Sequence, residues 1–157
     1  MLQVNIVNCP AVPVAMMRHV GPYDELSQVF DMLSGWVDQN NVQAIRWIGI
    51  YWDNPDETPA NQLRSAACVE VPNNYQIPPS IGAPITLEQI PAGPFATCRY
   101  VGPYEGLDKV WTEFTAQIEG PLGRQISGSI PAYEVYVNDA SDTPPQNLIT
   151  ELYMPLV

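Results

Sequence analysis

VAMMRHVGPYDELSQVF at residues 14–30 and FATCRYVGPYEGLDKVW at residues 95–111 are two copies of one segment. Eight of their seventeen aligned positions are identical: Ala15/Ala96, Arg18/Arg99, Val20/Val101, Gly21/Gly102, Pro22/Pro103, Tyr23/Tyr104, Leu26/Leu107 and Val29/Val110. A repeat of this length sets the architecture before any other feature is weighed. It predicts two similar halves related by a pseudo-twofold axis. A cleft between such halves is the expected place for a small-molecule site.

Outward from the repeat, each half reads strand, helix, strand, strand. Residues 2–7 and 12–20 carry Val, Ile and an alternating pattern, as extended chain does. At Gly21-Pro22-Tyr23-Asp24-Glu25 the chain turns into a helix. Proline suits the first helical position, and acidic residues there complement the helix dipole. Leu26, Val29, Phe30, Leu33, Trp36 and Val37 follow at offsets that trace one apolar stripe, and Asn40-Asn41 ends it. Residues 44–52 and 64–72 read as a hairpin around an Asp- and Pro-rich loop, and 73–84 as a connector. In the second half, 85–90 and 95–101 are extended. Leu107, Val110, Trp111, Phe114 and Ile118 repeat the helical stripe, and 131–139 with 148–156 form the closing hairpin. The expected fold is α+β. It is a duplicated strand–helix–strand–strand unit, with an antiparallel sheet, two helices on one face and a ligand cleft between the pseudo-twofold halves. The whole chain, 1–157, reads as one domain with internal repeats at about 1–72 and 85–157.

Composition narrows the function. With 157 residues, 46% of them hydrophobic, the chain can bury about 70% of its unfolded surface. No apolar run approaches the roughly 20 residues that span a bilayer. The first residues, MLQVNIVNCP, lack the basic and apolar regions of a signal peptide, so a cytoplasmic protein is expected. Cys9, Cys68 and Cys98 are odd in number and scattered, and His19 is the single histidine. Neither a zinc site nor a disulfide framework is expected, and no metal or cofactor. The net charge of −11 repels phosphate backbones and attracts cations, which makes direct nucleic-acid binding improbable.

Candidate chemistry lies in the later strands. Side chains alternate across a strand, so Glu134 and Tyr136 share one face and Glu151 and Tyr153 another. Antiparallel pairing of the two strands is expected to bring both Glu-x-Tyr pairs to one surface. In the first half Trp47, Gly49 and Tyr51 match it, with Tyr51 aligned to Tyr136 and Gly49 to Glu134. Such an aromatic cleft with carboxylates in its wall suits a cationic, largely apolar ligand. Aromatic faces attract a cation by about 0.5–2 kcal/mol each. A partly buried carboxylate about 4 Å away adds about 4 kcal/mol at an effective dielectric near 20. Trp36 and Trp111 fall on the helix stripes and read as core. Arg18 and Arg99 read as structural partners of a nearby acid or carbonyl.

The doubled Arg-x-Val-Gly-Pro-Tyr motif, PAYEVYVND around Glu134 and the closing TELYMPL together resemble the GyrI-like small-molecule-binding domains. That family is known also from gyrase-modulating proteins and from effector-binding domains of drug-responsive transcription activators. The resemblance implies a stand-alone binder of cationic, lipophilic compounds. Glu134 would meet the positive charge, Tyr136, Glu151 and Tyr153 would line the pocket, and Trp47 and Tyr51 would close the other side. It implies as alternatives a hydrolase of reactive electrophiles using a Glu/Tyr pair, or an acidic modulator of DNA gyrase. The expected partners are thus a cationic amphipathic small molecule and a protein, either gyrase or a transcription factor, with no membrane. Family members often carry Arg-x-Asp-Ala-Cys near the end of the first half. Here Ala66 stands at the acidic position of Arg64-Ser65-Ala66-Ala67-Cys68, which weakens any role borrowed from that position.

Overall fold

The structure, a computed structural model, describes residues 2–77 and 84–157; the central part of the expected connector, 78–83, lies outside them. The described chain holds eight strands: β1 (Asn5–Cys9), β2 (Val12–Val20), β3 (Trp47–Tyr51), β4 (Arg64–Glu70), β5 (Ile85–Ile90), β6 (Gly93–Val101), β7 (Ala132–Tyr136) and β8 (Ile149–Pro155). Helices α1 (Leu26–Gln39) and α2 (Leu107–Glu119) follow β2 and β6. Every described strand pairing is antiparallel. The fold is α+β, as the repeat predicts.

Two compact units divide the chain. One comprises Ala11–Pro91, the other the N-terminal stretch up to Pro10 together with Ala92–Val157. In the first, the strand order is β3-β4-β2-β5; in the second it is β1-β6-β8-β7. The units therefore do not coincide with the sequence repeats. β1, expected beside its own half, pairs with β6, and β5 pairs with β2. Pro10 and Pro91 bound the two exchanged strands. Each follows directly on a strand, lacks the N–H that would extend the ladder, and marks the point where the chain leaves it.

The two helices begin alike. Pro22 and Pro103 precede a 3₁₀ turn, Tyr23–Glu25 and Tyr104–Gly106, so the prolines sit one turn ahead of the α-helices rather than at their first position. Asn40 caps α1, its Nδ2 donating to the Trp36 carbonyl at 2.9 Å, and Asn41 takes φ +50°. Leu26, Val29, Leu33, Trp36 and Val37 of α1 pack on Ala15, Met17, Ala67 and Val69. Leu107, Val110, Phe114 and Ile118 of α2 pack on Ala96, Cys98 and Leu152. Each fully buried large aliphatic or aromatic side chain contributes about 1.5–3 kcal/mol. The expected helix stripes are thus the cores of the two units, apart from Phe30 and Trp111, which stay half-buried.

Cys68 and Cys98 are buried free thiols and Cys9 is half-buried. Burial pushes the Cys98 thiol up to about 12 and raises Cys68 further, so both stay protonated at neutral pH.

Candidate ligand-binding site

Register decides what surrounds Glu134. β7 pairs with β8 so that Glu134 lies opposite Leu152 and Tyr136 opposite Thr150. Leu152 belongs to the core under α2, which puts Glu134 and Tyr136 on the α2 face of this unit. The register is fixed beside the strands by Asn138. Its Nδ2 donates to the Asn147 carbonyl at 3.0 Å and its Oδ1 accepts the Ile149 N–H at 2.9 Å.

Glu134 is a carboxylate only 4% exposed. Tyr136 donates its hydroxyl to Oε1 at 2.8 Å, and Trp111 on α2 donates its indole N–H to Oε2 at 2.5 Å. A carboxylate taken out of water loses several kcal/mol of solvation. Hydrogen bonds to a charged group return about 1.5–3 kcal/mol each. Both of these donors are neutral, and they orient the carboxylate. The Tyr104 ring meets Tyr136 edge-on, with centroids 5.7 Å apart. Burial raises the Tyr104 hydroxyl pKa, and the charges of Asp139 and Glu134 raise it further. The site is thus an acid held by Trp111 and Tyr136, with Tyr104 against the Tyr136 ring.

The structure does not bring Glu151 and Tyr153 to this site. Their cross-strand partners on β7 are Val135 and Tyr133, which occupy the opposite face. The expectation that both Glu-x-Tyr pairs share one surface is therefore corrected: with Glu134 opposite Leu152, the two pairs alternate out of phase. Glu151 instead meets Arg99, its partner on β6, at 2.7 Å. Tyr153 stacks on Tyr133 with centroids 4.6 Å apart and 7° between planes, and Phe95 packs edge-on to both.

In the other unit, Gly49 and Trp47 lie opposite Ala67 and Val69 of the core under α1, so Trp47, Gly49 and Tyr51 share that face. Trp47 packs edge-on against Phe30 at 6.5 Å and Tyr51 against Tyr23 at 4.9 Å. Tyr23 is pinned by its hydroxyl, which donates to the Asp53 carbonyl at 2.6 Å. The Ala66 departure also acquires a physical consequence. Its counterpart Glu151 pairs with Arg99, whereas Arg18 lies over the Trp52 ring at 5.2 Å, a cation–π contact.

Trp111, which reads as core from sequence, holds the acid, and Tyr104, known from sequence only as a repeated position, packs beside it on Tyr136. The signal for Trp111 was in the alignment. It replaces Phe30 on the helix just where Glu134 replaces Gly49 on the strand, so an N–H donor and its acceptor enter together.

Residues 2–157 match the family described as "GyrI-like small molecule binding domain". The chain belongs to the GyrI-like family. A Citrobacter koseri relative named "DNA gyrase inhibitor" is 34% identical over 144 residues, 91% of this chain and 90% of its own. A Dickeya dadantii "DNA gyrase inhibitor 1" is 34% identical over 121 residues, 76% of this chain and 78% of its own. Among solved structures, the GyrI-like chain superposes on the EcmrR C-terminal domain with a TM-score of 0.81 at 16% identity, covering 100% of this chain and 98% of that one. In the EcmrR–DNA complex the chain spans only 57% of the EcmrR chain, with a TM-score of 0.81 at 17% identity and 99% of this chain covered. SAV2435 bound to tetraphenylphosphonium superposes with a TM-score of 0.67 at 12% identity, covering 99% of this chain and 94% of that one. These structural likenesses concern the fold. Among the described residues, no cluster of three or more His, Cys, Asp or Glu is placed to hold a metal ion. No described helix is long and apolar enough to cross a membrane.

Proposed function

We propose that this chain binds cationic, lipophilic small molecules, with Glu134 receiving the positive charge and Tyr104, Trp111 and Tyr136 receiving the apolar part. The observation that carries this reading is a carboxylate 4% exposed and held by two neutral donors among aromatic rings. Such an acid offers an organic cation about 4 kcal/mol at about 4 Å and an effective dielectric near 20. Each ring adds about 0.5–2 kcal/mol. A solved structure of the same fold holds tetraphenylphosphonium, a cation of this class. Glu151 and Tyr153, on the other face of their sheet, are not part of the proposed site.

Calorimetric titration with tetraphenylphosphonium and with neutral triphenylphosphine oxide tests the reading. Glu134→Gln weakens the phosphonium by about 100-fold or more and the oxide by less than about threefold. Equal losses for the two compounds discard a charge-reading site.

The relatives named as gyrase inhibitors support a second reading, in which the acidic chain acts on DNA gyrase in the cytoplasm. Purified gyrase titrated with the chain then loses supercoiling activity at micromolar concentration. Unchanged supercoiling removes this reading and leaves the first intact.

A further inference from the structure

We propose that the outer edge of β1 is a docking surface for a second copy of this chain. The β1 strands of the two copies pair antiparallel, and each unit's sheet continues into the other. The inference stands apart from the reading of Glu134 as a ligand carboxylate.

β1 ends the strand order of its unit, and among the described residues its one strand partner is β6. A strand offers main-chain N–H and C=O groups on both sides, so β1 presents a second row of them away from β6. Edge strands are ordinarily kept apart by a charge, an internal proline or a bulge. Asn5-Ile6-Val7-Asn8-Cys9 has no charge and no proline, and its register against β6 runs unbroken from Asn5 to Cys9. The first charged side chain in the sequence is Arg18, and the β6 residues beside β1, Gly93 to Thr97, are uncharged as well. In a chain of net charge −11 this edge is a neutral strip. Two acidic copies repel one another over most approaches, and along this strip they meet without facing charges. β5, the edge strand of the other unit, carries Glu88 within it and lacks that neutrality.

The side chains of β1 match a copy of themselves. Ile6 lies opposite Ala96 of the core under α2 and Val7 opposite Phe95, so the two project to opposite faces of the sheet. They are 44% and 42% exposed, which leaves an uncovered aliphatic group at the rim of each face. A twofold axis perpendicular to the sheet keeps each face on its own side and sets Ile6 or Val7 beside its counterpart. Cross-strand aliphatic pairs then cover what one copy leaves exposed. A five-residue strand buries less than a standard interface, so the dimer is a weak one, with a Kd on the order of 10–100 µM.

Sedimentation equilibrium of the full chain from about 5 to about 500 µM tests the proposal. Monomer at the low end passes into dimer at the high end. Ile6→Glu and Val7→Glu each weaken association by at least about 10-fold, because like charges then face each other across the pair. Leu87→Glu on β5 leaves it unchanged. Amide exchange of the unmodified chain slows at β1 as concentration rises and stays constant at β5. A chain that remains monomeric at about 500 µM overturns the proposal. So does a dimer that persists undiminished in the Ile6→Glu and Val7→Glu variants, shown folded by circular dichroism and melting. Should those variants fail to fold, exchange of the unmodified chain decides the matter: concentration-dependent protection at β5, or none at β1, overturns the pairing.

Discussion

Trp111 shows how one atom changes a residue's part. Its ring continues the α2 stripe and packs against Phe114 at 5.8 Å, as its counterpart Phe30 packs against a neighbouring ring. Its Nε1–H is what Phe30 lacks, and that donor goes to Glu134. Trp111→Phe therefore keeps the ring and removes one charge-assisted hydrogen bond. The expected loss is about 1.5–3 kcal/mol of stability in urea unfolding, with weakened phosphonium binding. In a Glu134→Gln background the same change costs measurably less, because the donor no longer serves a charge. Additive losses in that double-mutant cycle would show that the indole acts through packing alone.

At the scale of elements, the turns into the helices are built on glycine. Gly21 and Gly102 have φ of +143° and +154°, and each donates its N–H to the strand-entry carbonyl beside it, Leu63 and Leu148 at 2.8 and 2.9 Å. A Cβ at Gly102 would come within 2.6 Å of the Tyr100 hydroxyl oxygen, which itself donates to the Pro103 carbonyl at 2.8 Å. Gly102→Ala thus combines strained backbone with a displaced tyrosine. The expected cost exceeds about 1 kcal/mol, read as a lower urea midpoint at unchanged slope. These turns, the helix stripes and the Asn40-Asn41 stop were legible in the sequence because each depends on residues near in the chain. The β7–β8 register was not. Alternation says which residues of one strand share a face, but nothing about the phase against a partner. That phase depends on the Asn138 side chain reaching Asn147 and Ile149 across the loop, and it separates Glu134 from Glu151.

For the whole molecule, the duplication was legible and the exchange of outer strands was not. A repeat in sequence suggests self-contained halves, whereas β1 and β5 each complete the other repeat's sheet. Nothing local distinguishes the two pairings, since β1 offers the same ladder to either partner, and its side chains are mostly exposed. Amide exchange separates them. Deleting residues 1–9 removes the strand beside β6, leaving its outward N–H groups open to water. The expected result is faster exchange at the β6 amides that faced β1, from Gly93 to Thr97, with the β2 amides unchanged. β2 keeps both neighbours, β4 and β5, and has no reason to respond. If β2 amides lost protection while β6 kept its own, β1 would be paired within its own repeat, and the exchanged arrangement would be wrong. Ile6 and Val7 are 44% and 42% exposed, but Leu2 and Val4 pack against the core under α2 and the Leu2 carbonyl accepts from Gln117 Nε2 at 2.8 Å, so the deletion also loosens that contact. Faster exchange at the β6 edge reads the lost ladder, and phosphonium binding at Glu134 offers a second readout. It is expected to weaken if β6 frays, since β6 supports β8, and β8 sets the register of β7.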